Sequence, residues 1–189
     1  MSNKITEKQL QEWEDQYGDF YELPVGDKVC YLRVPTMLDF KRGLKALGED
    51  TEIAFAEEMF KALWLGGDEE IRANDDYFHS ARKVLKNLLE FDDAVVTDLP
   101  ASKKQITIQG ATCVVRAITR QDLQRAERAN PGSKVFVTQE KLFSFVCIEK
   151  EEAFNDRNNA EIRFPLYKAL EDMQNTKHAT LKKRSRKQS

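Results

Sequence analysis

The chain has 189 residues, 30 of them basic and 32 acidic, so it is nearly neutral but one-third charged. Its apolar fraction of 41% can supply a core, yet no apolar run approaches the ~20 residues of a membrane-spanning helix. Three cysteines, and no apolar leader after Met1, read as free thiols and not as the disulfide framework of a secreted domain.

Residues 5–17 read as a helix: Thr6 as N-cap, Gln9 three residues on, and Leu10, Trp13 and Tyr17 at helical spacing before Gly18. The β-rich runs 19–25 and 28–34 flank Gly26-Asp27, a hairpin signal weakened by Pro24. Thr36 opens a helix with Asp39 in the capping-box position, and a second helix over about 51–65 carries Phe55, Met59, Phe60, Leu63 and Trp64. Gly66-Gly67 is expected to break the chain before a third helix over about 75–90.

Residues 92–104, with Pro100 and Ser102, read as a linker. A second hairpin, 105–109 and 112–118, follows around Gly110-Ala111, and Thr119 and Asp122 repeat the cap. Residues 138–148 repeat the second helix, and a closing helix spans about 162–174.

These parallels share one ungapped offset of 83 residues. Cys30 falls on Cys113, Arg33 on Arg116, Thr36 on Thr119, Asp39 on Asp122, Arg42 on Arg125 and Phe60 on Phe143. The offset gives 9 identities over positions 30 to 69, and the class matches Leu32/Val115, Met59/Leu142 and Leu63/Val146 argue against coincidence. The period is too long and the copies too few for a solenoid. The expected fold is therefore α+β and mostly helical: two related units, each a β-hairpin followed by about three helices. The boundaries are a first unit over 1–91, a linker over 92–104, a second unit over 105–175 and a disordered basic tail over 176–189.

The candidate chemistry is sparse. The repeated Arg33/Asp39 and Arg116/Asp122 pairs read as a binding or acid–base pair, or, more simply, as an arginine at a strand end facing an acid in the first helical turn. The acids Glu69, Glu70, Asp75 and Asp76 lack the spacing of a calcium loop, and the Gly66-Gly67 stretch lacks that of a phosphate loop. His79 and His178 have no Cys-x-x-Cys nearby, and no nucleophile motif occurs, so neither a metal, a cofactor nor a catalytic residue is assigned. Six of the 30 basic residues and none of the acidic ones lie in 177–189, among them Lys182, Lys183, Arg184, Arg186 and Lys187. Such a tail reads as a solubilising segment or one for an acidic partner; without aromatics, its contact with nucleic acid would be weak and sequence-independent. Phe60, Trp64 and Leu65, at a helix end beside two glycines, are the candidate partner contacts.

Gln11-Glu12-Trp13, Tyr17-Gly18, Tyr31-Leu32-Arg33-Val34-Pro35, Trp64-Leu65-Gly66-Gly67-Asp68-Glu69-Glu70-Ile71 and Asp75-Asp76-Tyr77-Phe78 carry a resemblance. Over Leu10 to Glu90 the chain resembles tail assembly chaperone-like proteins of phages and prophages of Bacteroides-type hosts. The second unit departs from that pattern, with Cys147-Ile148-Glu149-Lys150-Glu151-Glu152 in place of the glycine-containing stretch. The resemblance implies a non-enzymatic protein of tail morphogenesis in the host cytoplasm. Its partners would be the tape measure and tail tube proteins, with no membrane, and a homo-oligomer is compatible with it. The alternatives are a structural component of the virion (neck, tail or baseplate) and a nucleic-acid-associated accessory protein using the basic tail.

Overall fold

A computed structural model describes residues 5–175 and Thr180. Among these residues the chain is α+β and about half helical, with eight α-helices and two antiparallel sheets of three and four strands. The first four residues and the basic positions Lys182, Lys183, Arg184, Arg186 and Lys187 lie outside the described residues, and so does the expected disorder of the tail.

Helix α1 (Glu7–Tyr17) starts where expected, with the Thr6 and Gln9 side chains closing the capping box. Strands β1 (Phe20–Val25) and β2 (Lys28–Arg33) form the first hairpin. Leu23, Val25, Cys30 and Leu32 share the face turned to the core. Helices α2 (Met37–Glu49) and α3 (Glu52–Leu63) follow and pack on each other.

The expected break at Gly66-Gly67 is a strand. Residues Trp64–Gly67 form β3, which returns antiparallel to β2 and completes the sheet β1-β2-β3. The glycines are there for close approach. A Cβ on Gly67 would lie 2.5 Å from the Cα of Cys30, and the residue has φ +122°. At Gly66 a Cβ would lie 2.8 Å from the Trp13 ring, which lies across the sheet against Phe20 and Tyr31. Helices α4 (Glu70–Ala73) and α5 (Asp75–Leu85), prolonged by a 3-10 turn over Lys86–Leu89, close the first half.

The second half has β4 (Val95–Leu99), β5 (Lys103–Ile108), β6 (Ala111–Arg116), α6 (Arg120–Arg128), α7 (Val137–Val146), β7 (Cys147–Lys150), a 3-10 turn at Glu152–Phe154 and α8 (Ala160–Asp172). Two expectations change here. Residues 92–104 are not a plain linker, because β4 pairs with β5 and makes the second sheet four-stranded, in the order β4-β5-β6-β7. Residues 138–148 are not one helix, because α7 ends at Val146 and the chain turns into β7. Each hairpin is thus followed by helices with a third strand among them.

The offset of 83 runs through the hydrogen-bonded frame. Phe20 faces Arg33 as Lys103 faces Arg116, and Cys30 faces Gly67 as Cys113 faces Lys150. The irregularity between Tyr31 and Leu32 recurs between Val114 and Val115. The Asp68 carboxylate accepts from the Val29 N–H, and that of Glu151 from the Thr112 N–H. The segment before each hairpin differs: α1 crosses one sheet, whereas β4 extends the edge of the other.

The halves meet through aromatic rings. Phe40 of α2 contacts Phe91 and Phe164 edge-on at 5.9 and 5.0 Å, and Phe91 stacks on Phe164 at 4.6 Å. Phe136 adds an edge contact to Phe164, and the Met37 N–H donates to the Asn158 carbonyl. The buried side chains of both halves belong to one apolar cluster.

Candidate binding sites

The repeated arginine–aspartate pairs are built alike. Arg33 donates through both terminal nitrogens to Asp39, at 2.8 Å each, and Arg116 does so to Asp122 at 2.7 Å. Each aspartate also accepts from the N–H and hydroxyl of its N-cap threonine, Thr36 or Thr119. Each arginine donates as well to the next residue's carbonyl, Val34 or Ala117. The carboxylates are almost wholly buried. At Asp122 the bonds from Arg116 and Thr119 hold the carboxyl well below its ordinary range. At Asp39 burial pulls the other way, but the combined bonds from Arg33 and Thr36 prevail and the pKa is lowered. This geometry ties each hairpin to the start of the next helix. Both oxygens of each carboxylate are committed inside the frame, as the simpler of the two sequence readings expects.

The three candidate contact residues separate. Phe60 is only 2% exposed and packs edge-on or tilted against Trp64 and Phe78, so it is a core residue with almost no surface to offer. Trp64 is half-buried on β3, with the Arg72 guanidinium 4.5 Å above its ring. Leu65 is half-buried beside it. The structure therefore keeps Trp64 and Leu65 at the surface and withdraws Phe60 beneath them.

The position equivalent to Trp64 is Cys147, at the same place in the strand pairing. Here a cavity of about 270 Å³ opens. Phe143, the counterpart of Phe60, forms part of its wall, together with Ser144, Glu140 and Lys150. Arg163 of α8 closes it from within, being only 1% exposed. Its guanidinium stands 5.5 Å over the Phe143 ring and donates to the carbonyls of Phe154 and Asp156. Its Nη1 lies 3.3 Å from Glu140 Oε2 without forming an aligned hydrogen bond. Glu140 is shared further, with Arg157 Nε at 3.1 Å and the Tyr167 hydroxyl at 2.7 Å.

Sequence reasoning did not single out this cluster. Its one legible trace is a charged residue, Arg163, inside the apolar run from Ile162 to Leu166.

The thiols differ in kind. Burial pushes those of Cys30 and Cys113 up to about 12, whereas Cys147 is half-buried and its thiol is raised less far. Among the described residues no three His, Cys, Asp or Glu side chains converge as a metal site needs, and no helix is long and apolar enough to cross a membrane. His79 is exposed on α5. No protein-family model, curated protein or solved structure matches the chain.

Proposed function

We propose that the chain is an internal duplication and acts without catalysis, as an assembly chaperone of phage tail morphogenesis that binds tape measure or tail tube protein. One observation carries the binding reading. The arginine–aspartate pair that recurs in both halves, Arg33/Asp39 and Arg116/Asp122, is engaged in tying hairpin to helix. The shared pair is therefore architectural, and the halves differ at the surface: an arginine-capped indole at Trp64 against an open cavity at Cys147. Two frames of one kind with unlike surfaces suit several weak contacts to a long partner, which avidity strengthens. The named class of partner comes from the resemblance over Leu10 to Glu90.

Co-expression with the tape measure protein of the same phage genome tests this reading. The expected outcome is a soluble complex, with tape measure precipitating in its absence and mass spectrometry of finished particles finding none of this chain. A tape measure equally soluble alone would overturn the chaperone role. Stoichiometric presence in particles would replace it with that of a virion component.

A further inference from the structure

We propose that the cavity beside Cys147 is a binding site for an aromatic side chain presented by an acidic segment of a partner protein. The first half of the molecule supplies the precedent. Trp64 and Cys147 follow helices α3 and α7 at the same step, with nearly the same backbone (φ −60°, ψ 120° against φ −67°, ψ 124°). They face Leu32 and Val115 in matching pairs, so their Cβ atoms leave the frame in the same direction. In the first half an indole fills that direction, resting against the edge of Phe60 with a guanidinium over its face. In the second half the phenyl ring is kept as Phe143, a guanidinium from α8 (Arg163) lies over that ring instead, and the indole is missing. The cavity is the room it leaves.

The charge of the wall selects the occupant. Glu140 is already engaged by Arg157, Arg163 and Tyr167. Lys150, Arg157 and Arg163 set three positive charges against those of Glu140 and Glu149, which leaves a positive surplus. An aromatic ring gains from cations over its face, and acidic neighbours complement the surplus at the rim. Access runs along β7, the last strand of its sheet, where Ile148 is 51% exposed. An extended segment lying along β7 would bring every second side chain towards the cavity, the mode of strand addition. The filling of this cavity is independent of the tail-assembly reading, so either can fail alone.

The probe is the peptide acetyl-Glu-(5-fluoro-Trp)-Glu-amide, titrated into the full chain and followed by fluorine NMR, with neutral 5-fluoroindole as the second arm. The wild type is expected to give a saturable shift with both. Cys147→Trp should abolish both shifts and keep its melting temperature at or above that of the wild type, because it supplies the indole itself. Ser144→Trp, at the exposed rim, should block the peptide while leaving the core alone. Arg157→Gln should weaken the peptide several-fold and leave 5-fluoroindole unchanged. The proposal is overturned by an absent or non-saturable shift in the wild type, by equal shifts in Cys147→Trp, or by a marked fall in that variant's melting temperature. Binding of 5-fluoroindole without the peptide would remove the partner segment and leave only a pocket for small aromatics.

Discussion

Asp39 and Asp122 are 2% and 7% exposed, and each ionised carboxylate persists there because an arginine and a threonine satisfy it. Removing the acid leaves a guanidinium without its partner, and the consequence depends on how readily water reaches that guanidinium. The Arg33 side chain is 23% exposed and that of Arg116 41%. Asp39→Ala should therefore cost about 3 kcal/mol and Asp122→Ala about 2, the latter discounted for solvent screening. Urea melts of the two variants check the ranking, and an equal or reversed order would refute it. Both carboxyls have lowered pKa values in the folded chain. Their stabilisation is therefore complete above the unfolded value of about 4 and is lost as pH falls below it towards the folded values. The double variant Asp39→Asn/Asp122→Asn should lose stability less steeply than the wild type between about pH 4 and pH 2. The cysteines give a second test: with Cys30 and Cys113 buried and pushed up to about 12, a disulfide reagent at mildly alkaline pH should reach Cys147 first, though more slowly than an exposed thiol because its own thiol is raised. The other two should react only after unfolding, and fast reaction of all three would show that the sheets open readily.

At the scale of the element, β3 depends on its glycines for different reasons. Gly67→Ala puts a Cβ against backbone at a positive φ, so nothing cheap can move, and a loss of about 3 kcal/mol is expected. Gly66→Ala meets the ring of Trp13, a side chain, so its expected effect is to lift α1 from the sheet. Hydrogen exchange should then show α1 unprotected while β1 and β2 keep their protection. The same element shows what the sequence made legible. The capping boxes at Thr6 and Thr119 and both hairpins could be read, because turn and cap chemistry is local. The third strands could not: in β3 a glycine pair reads as a break until the helix that lies across it is known, and in β7 the residues Cys147-Ile148 simply continue the apolar run of α7. β4 was hidden for a related reason. Its turn into β5 places Ala101 and Ser102 at φ 59° and 57°, where glycine or asparagine is the usual signal. The Arg33/Asp39 pairing was visible from the repeat, whereas the cavity at Cys147 was not. It exists because α8 brings Arg163 to α7, and no local pattern records that contact.

On the scale of the whole molecule, the two halves are joined by a shared ring cluster, so they are expected to melt together. Phe40 is the fully buried ring that the first half contributes to it. Phe40→Ala should cost about 3–5 kcal/mol and uncouple the halves. Calorimetry would then resolve two transitions where the wild type shows one, and a single, merely shifted transition would show that the halves depend on each other through contacts other than these rings.

A repeated register has a kinetic side. Each hairpin can close early because its contacts are local, but β3 and β7 arrive only after a pair of helices has been spanned. While folding proceeds, each returning strand meets two hairpin edges that offer the same hydrogen bonds, a setting in which strands of like register can exchange. Side chains break the tie. If β7 docked on β2, Lys150 would take the place of Gly67, where even a Cβ stands 2.5 Å from the Cys30 backbone. The difference between Trp-Leu-Gly-Gly and Cys-Ile-Glu-Lys thus acts as a one-way address, keeping β7 off the first hairpin and leaving that edge to β3.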